Sequence, residues 1–387
     1  MDSVVVAGAL ANKCHNGGES WVRLSWVRGL RNLGFRVFFL EQIDDTACVD
    51  AQSRPSSASD SDNRRYFDQV TTAFGLRGNA ALICSQSRET FGASYEDVQH
   101  VCESAALLIN ISGHLQLKDL LNRIATTVYV DIDPGFTQIW HAQGIRSGRI
   151  MEHDYYFTIA ENINQPDCGI PTGQLPWRPI RQPVVLSDWP ACASPEHTRF
   201  TTIANWRGPY GAIEYGGKLL GSKVHEFRKL IELPTRSPAQ FELALKIHPA
   251  DGQDLLLLEQ NGWRLVEPSL VAADPHSFRN YVQGSSAEFS VAQGMYVATN
   301  SGWFSDRSIR YLASGKPVLV QDTGLRAHLP VGEGLLVFSN LDEAIRGADE
   351  IVADYERHSA AARRIAERYF DSDYVLPQLL EQVGVTT

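Results

Sequence analysis

Ser301-Gly302-Trp303-Phe304-Ser305-Asp306-Arg307-Ser308-Ile309-Arg310-Tyr311-Leu312-Ala313-Ser314-Gly315-Lys316-Pro317-Val318-Leu319-Val320-Gln321-Asp322-Thr323-Gly324 reads as loop, helix, turn, strand and loop in succession. Ser305 or Asp306 can cap the helix, and Gly315-Lys316-Pro317 ends it and turns the chain into the apolar run Val318-Leu319-Val320. Asp322 and Thr323 then emerge at the strand's carboxyl end, the edge where open α/β sheets bind their ligands. The unpaired amides and positive dipole of the helix start suit a diphosphate. Arg307 and Ser308 in the first turn can reach phosphate or ribose oxygens. The bland alternative is a tight helix-to-strand turn with Trp303 and Phe304 in a core. The polar run from Ser305 to Ser308 argues against it, because a core avoids such a cluster.

The surroundings fit an α/β protein of two parts. A chain of 387 residues exceeds one ordinary core, and 43% hydrophobic with 21% charged residues is globular usage. A net charge of -10 argues against nucleic acid or anionic lipid as a partner, leaving room only for a small, specific phosphate site. The six cysteines are scattered without Cys-x-x-Cys spacing, which predicts reduced thiols and a cytoplasmic protein. The first apolar run, Val4 to Leu10, lacks a basic flank and is too short to span a bilayer, so no integral membrane segment is expected.

Val4–Ala9, a glycine-containing turn, a helical pattern from Trp21 to Leu33 and the run Val37–Leu40 form a β-α-β unit. Further strands are predicted at 106–111, 127–132 and 155–159. Seven prolines crowd 166–195: Pro166, Pro171, Pro176, Pro179, Pro183, Pro190 and Pro195. Continuous helix or central strand cannot carry them. The α/β pattern restarts at Arg199. The expected division is a first domain over 1–180, a Pro-rich linker over 181–198, a second domain over 199–360, and C-terminal helices over 361–387 that pack back on the first domain.

The segment Tyr311-Leu312-Ala313-Ser314-Gly315-Lys316-Pro317-Val318 resembles the Glu-Ala-x-Ala-x-Gly-x-Pro-Val signature in the donor-binding half of glycosyltransferases with the GT-B fold. The whole chain is similar to them, with a Gly-rich first loop, a Pro-rich middle and a helical C-terminus. The resemblance implies two Rossmann-like, doubly wound domains facing a central cleft. It also implies transfer of a sugar from a nucleoside-diphosphate donor, a UDP or TDP sugar, to a small-molecule or glycan acceptor, without metal or cofactor. Where many members carry a helix Glu for the donor ribose, this chain has Arg310, and Gly302 replaces its partner Glu. That departure keeps two other readings open, a catalytically degenerate nucleotide- or partner-binding module and a sugar-nucleotide epimerase.

The candidate donor residues are Ser305, Asp306, Arg307, Ser308, Asp322 and Thr323, with Arg207, Lys246, His248 and Glu288 from other strand ends. Lys246 and His248 alternate around Ile247 and so share one side of a strand end. Glu288 can accept from a sugar hydroxyl or make an internal ion pair. The candidate catalytic residues are His15, Glu19 and Asp131. A His titrating near neutrality, or a Glu raised by burial, suits deprotonation of an acceptor hydroxyl. Gly17 and Gly18 suit close backbone approach. Asp131 and Asp133, in Asp131-Ile132-Asp133-Pro134-Gly135, either face the cleft or cap the following turn, and a metal role for them is disfavoured. Neither a Gly-x-Gly-x-x-Gly nor a Gly-x-x-x-x-Gly-Lys-Ser/Thr motif occurs, so NAD and ATP chemistry have no support.

Overall fold

A computed structural model describes residues 2–145, 150, 153–194, 196–208 and 210–386. Pro195 and the stretch 146–149 therefore lie outside the described residues. The chain builds two α/β lobes, each around its own sheet.

The first sheet comprises β1 (Ser3–Ala7), β2 (Arg36–Ile43), β3 (Ala80–Cys84), β4 (Thr90–Gly92), β5 (Ala105–Ile111), β6 (Thr127–Asp131), β7 (Tyr155–Thr158) and β8 (Trp177–Pro179). Their order is β4-β3-β2-β1-β5-β6-β7-β8, parallel throughout except for the β3–β4 pair. Its inner strands read as continuous apolar runs, such as Val4-Val5-Val6-Ala7, because helices cover both faces and every position is buried.

The second lobe holds β9 (Arg199–Asn205), a small antiparallel hairpin of β10 (Ile213–Tyr215) and β11 (Lys218–Leu220), then β12 (Gln240–Lys246), β13 (Arg264–Val266), β14 (Ala287–Ser290), β15 (Val318–Gln321) and β16 (Leu335–Phe338). The main sheet runs β13-β12-β9-β14-β15-β16, all parallel. Counted within the lobe, that is the 3-2-1-4-5-6 order of doubly wound nucleotide-binding sheets. The order reverses between β9 and β14, and in the first sheet between β1 and β5. Ligands of such sheets sit beyond the carboxyl ends at these switch points.

The lobes are closed on one another. Trp21 of the Gly17–Asn32 helix donates its indole N–H to Pro275 O at 2.7 Å, and its ring meets Trp189 edge-on with centroids 5.0 Å apart. Trp189 in turn contacts Phe278 of the Pro275–Gln283 helix. Asn162 binds Asn300 O at 2.8 Å, and its amide donates to Ser301 O at 3.1 Å. The last helix, Ser372–Gln382, lies on the Gly17–Asn32 helix, where Gly29 has no room for a side chain: a Cβ there would stand 2.6 Å from Leu376 Cδ1. Arg178 of β8 donates to Gln382 O at 2.9 Å. No described helix is long and apolar enough to cross a membrane.

Candidate functional site

The carboxyl ends of β1 and β6 face those of β9 and β14 across the seam between the lobes. On the first-lobe side the loop after β1 is held from beneath by Glu41 of β2. This fully buried carboxylate accepts the amides of Leu10, Ala11 and Asn12 at 2.7, 2.8 and 2.8 Å. Burial outweighs those bonds and pushes the Glu41 carboxyl up to about 7. The loop so fixed carries Cys14 to where Lys246 of the second lobe acts on its thiol.

His15 adopts a left-handed backbone, φ 57, sparsely populated for a residue with a side chain. That turn brings its Nε2 onto Asp62 Oδ2 in a short contact, beside the Tyr66 ring. His15 is thus half of a carboxylate–imidazole couple, exposed to solvent, and Asp62 went unnoticed in the sequence.

Glu19 faces the same space from the first turn of its helix. Burial works against its charge, but Arg23, Lys13 and Arg310 outweigh burial and hold the carboxyl below its usual range. The expectation of a base raised by burial is therefore corrected: Glu19 is a firmly ionised carboxylate. Arg23 lies over Gly8 at the end of β1, where a Cβ would stand 2.6 Å from its Cγ.

Asp131 and Asp133 divide the two roles considered for them. Asp131 is buried and accepts Gln138 Nε2 at 2.6 Å, Thr158 Oγ1 at 2.7 Å and the Asp133 amide at 3.2 Å. It fixes the turn after β6 and cannot meet a substrate, which corrects its catalytic assignment. Asp133 is exposed to solvent at the seam between the lobes. It accepts Tyr296 OH, from the second lobe, at 3.1 Å. Enclosure, then the charges of Glu19 and Asp131, raise its carboxyl to about 7.

Across the seam stands Lys223, the first residue of the Lys223–Arg228 helix. Burial and the neighbouring Arg307 bring its ammonium down to about 7, against the opposing pull of Glu288, Asp306 and Asp133. Sequence reasoning passed over Lys223 because one lysine after a loop carries no pattern. Only the fold of the β9 to Lys223 segment sets it beside the Asp306–Ala313 helix.

That helix begins as expected, with Ser305 Oγ accepting the Arg307 amide at 3.2 Å. The Arg307 guanidinium turns inward: Nε meets Glu288 Oε1 at 2.5 Å, Nη1 meets Ile203 O at 2.8 Å and Nη2 meets Ser290 Oγ at 2.8 Å. It lends positive charge to the cleft from behind and is not an open claw. Asp306 keeps a partly exposed carboxylate on Arg310 at 3.0 Å, while Arg310 is buried and reaches Ser25 of the first lobe. The substituted helix position is therefore a piece of interlobe packing. Ser308 is fully buried with its hydroxyl lacking a partner.

Several other candidates serve the scaffold. Glu288 is wholly buried, with Oε1 on Arg307 and Oε2 without a hydrogen-bond partner among the described residues. Asp322 accepts the amides of Gly324 and Leu325 and pairs with Arg326 at 2.9 Å. Thr323 donates to Trp303 O at 2.6 Å. Arg207 is paired with Asp251 at 2.7 Å on the surface, and His248 Nδ1 accepts the Ala250 amide. Lys246 is exposed, and its charge reaches Cys14 of the opposite lobe. Gly17 and Gly18 do allow close approach, but what approaches is the second lobe: the Gly17 amide donates to Ala272 O at 2.8 Å and Phe278 covers Gly18. Among the described residues no three His, Cys, Asp or Glu side chains gather as metal ligands.

No family model matches the chain, and no curated protein matches its sequence. Solved structures do match over the full length. An alpha-glucosyltransferase in complex with UDP aligns with a TM-score of 0.60 and 10% identity, covering 99% of this chain and 100% of that one. Anabaena HepE in complex with UDP-glucose aligns at 0.61 and 10% identity, over 99% and 100%. The sucrose-phosphate synthase of Thermosynechococcus elongatus aligns at 0.56 and 12% identity, over 99% of each chain. Two doubly wound lobes in this order, matched end to end by such structures, give this chain the GT-B fold of glycosyltransferases.

Proposed function

We propose that this chain is a glycosyltransferase that moves a sugar from a nucleoside-diphosphate donor to a hydroxyl group of a small acceptor. The observation that carries the reading is the meeting of the lobes at Asp133: this first-lobe carboxylate accepts Tyr296 OH of the second lobe at 3.1 Å, and its charge acts on Lys223 of that lobe. Uridine diphosphate is the first nucleotide to test, because two of the similar structures hold UDP or UDP-glucose.

In this reading the donor diphosphate lies against Lys223 and the start of the Asp306–Ala313 helix, with Arg307 behind. The nucleoside extends toward the exposed Lys246 at the end of β12. Asp133 takes the proton of the acceptor hydroxyl as its oxygen bonds to the anomeric carbon and the bond to the diphosphate oxygen breaks. Glu19, held ionised, faces the positive charge that develops on the sugar. Lys223 and Arg307 stabilise the departing diphosphate, so the reaction is written without a metal or further cofactor. The solvent-exposed His15–Asp62 couple, on the loop after β1, is the second proton acceptor.

A thermal-shift screen with UDP, TDP, GDP and ADP tests the reading. One nucleoside diphosphate raises the melting temperature by mass action if it holds, and none does if it fails.

A further inference from the structure

We infer that Tyr296 is a positioning residue for the transfer step: from the second lobe it fixes the first-lobe carboxylate of Asp133, and so readies that base only while the lobes are closed. This rests on the transferase reading above, in which Asp133 takes the acceptor's proton. The Tyr296 hydroxyl donates to Asp133 Oδ1 at 3.1 Å. Among the described residues Oδ2 takes no hydrogen bond, and Asp133 is exposed. One carboxylate oxygen is held and the other is left for an acceptor hydroxyl.

Tyr296 is itself held from all sides. It is 2% exposed, its ring lies on Trp303 with centroids 4.5 Å apart, and its carbonyl accepts Ser301 Oγ at 3.1 Å. The Gly294–Ala298 helix that carries it is wedged at the seam: a Cβ at Gly294 would stand 2.9 Å from Gly221 O, and one at Gly135 of the first lobe would run into Met295 Sδ. Burial, then the charge of Asp133, push the Tyr296 phenol well above its ordinary range, so it stays protonated and donates. A phenylalanine would fill the same space on Trp303, and the hydroxyl adds the bond to Asp133.

The same segment braces the donor side. The Met295 amide donates to Gly221 O at 2.9 Å, and Gln293 Oε1 accepts the Lys223 amide at 2.8 Å. Lys223, Gln293 and Tyr296 all belong to the second lobe, whereas Asp133 belongs to the first. Opening the lobes therefore keeps the diphosphate seat assembled and parts Tyr296 from Asp133. The order of events that follows is donor binding, closure, then proton transfer, and a donor held in the open molecule is not yet exposed to a readied base.

The charged groups acting on Asp133 are Glu19 and Lys13 from the β1 side and Asp131 of β6, with Tyr296 and Lys223 facing it from the second lobe. The Tyr296 bond favours the ionised carboxylate. Its loss therefore costs stability above the titration of Asp133, at about 7, and little below it.

The test compares the full chain as wild type, Tyr296→Phe, Asp133→Asn and the double variant. In differential scanning calorimetry Tyr296→Phe is expected to lower the melting temperature more at about pH 8 than at about pH 4, and to lose that pH difference in the Asp133→Asn background. Release of UDP from UDP-glucose, with water in the acceptor's place, is expected to slow about tenfold in Tyr296→Phe, as loss of one hydrogen bond to a charged group implies, with UDP affinity held. Added to Asp133→Asn, the same substitution costs no further rate. An equal melting loss at both pH values, or equal losses with and without the Asp133 carboxylate, makes the hydroxyl a part of the packing and overturns the inference. An unchanged rate in Tyr296→Phe overturns it and leaves the transferase standing. Absence of both UDP binding and UDP release in wild type removes the transferase reading and this inference with it.

Discussion

Arg307 and Glu288 form an ion pair at 2.5 Å that is shut away from water: the Glu288 side chain is 0% exposed and that of Arg307 12%. The pair links the start of the Asp306–Ala313 helix to β14, and Ile203 O and Ser290 Oγ each accept one further guanidinium N–H. Removing one partner of such a pair strands the other charge, which costs far more than the pair itself contributes. Glu288→Ala is therefore expected to lower unfolding free energy by about 3–5 kcal/mol. Glu288→Gln, which keeps a hydrogen-bond acceptor, loses less. Urea denaturation of the two variants beside wild type checks both the size and the order.

The pH dependence of turnover follows from Asp133 and Lys223. Asp133, facing Glu19, Asp131, Lys13 and Tyr296, must be ionised to accept a proton, so the rate rises with pH through about 7. Lys223, facing Arg307, Glu288, Asp306 and Asp133, must be protonated to hold a diphosphate, so the rate falls above about 7. The profile of kcat/KM is a narrow bell centred near neutrality. Asp133→Asn removes the acidic limb and most of the rate, and a surviving acidic limb in that variant would assign it to another group.

Stability bears the opposite sign at Asp133. Its folded pKa, about 7, lies above the ordinary 3.8, so the folded state holds the proton more tightly. The group's stabilisation is present in acid and is lost as pH rises through about 7. Asp133→Asn, which cannot ionise, is expected to melt higher than wild type at pH 8 and no higher at pH 4, a comparison that differential scanning calorimetry makes directly.

Gly17 tests the fit between the lobes. A Cβ at that position would stand 2.1 Å from Asp274 O and 2.9 Å from Phe278 Cβ, so backbone must move apart. Gly17→Ala is expected to cost about 1–3 kcal/mol by overpacking and to slow turnover by spreading the cleft. Gly252→Ala, also at the first residue of a helix with an ordinary φ but with open space around a Cβ, is the control that carries the substitution without the clash. Equal melting temperatures for wild type and Gly17→Ala would contradict the closed arrangement.

The α/β periodicity and the helix–Gly–Pro–strand grammar of 301–324 were legible because they depend on local pattern. Ser305 as a cap and the strand at Val318 follow from neighbours within a few residues. Lys223, Asp62 and Glu41 were illegible for the opposite reason: each acquires its role from a partner far along the chain, Arg307, His15 and Leu10 respectively. Arg307 reads from sequence as a ligand group, and Glu288 as either a ligand group or half of an internal ion pair whose partner is not legible. From sequence alone, two ionisable residues nineteen positions apart do not reveal that they neutralise each other. The choice between Asp131 and Asp133 turned on Gln138 and Thr158, which occupy the first and leave the second facing the cleft.

The central claim, a diphosphate seat at Lys223, is tested most directly by titrating UDP into wild type and Lys223→Met by isothermal calorimetry at pH 8, in buffers of different ionisation enthalpy. With its free pKa near 7, Lys223 is largely neutral at pH 8 and must take up a proton as the diphosphate arrives. The account predicts binding with proton uptake in wild type, and affinity at least about tenfold weaker with no uptake in the variant. Equal affinity and equal proton uptake in both proteins would contradict it.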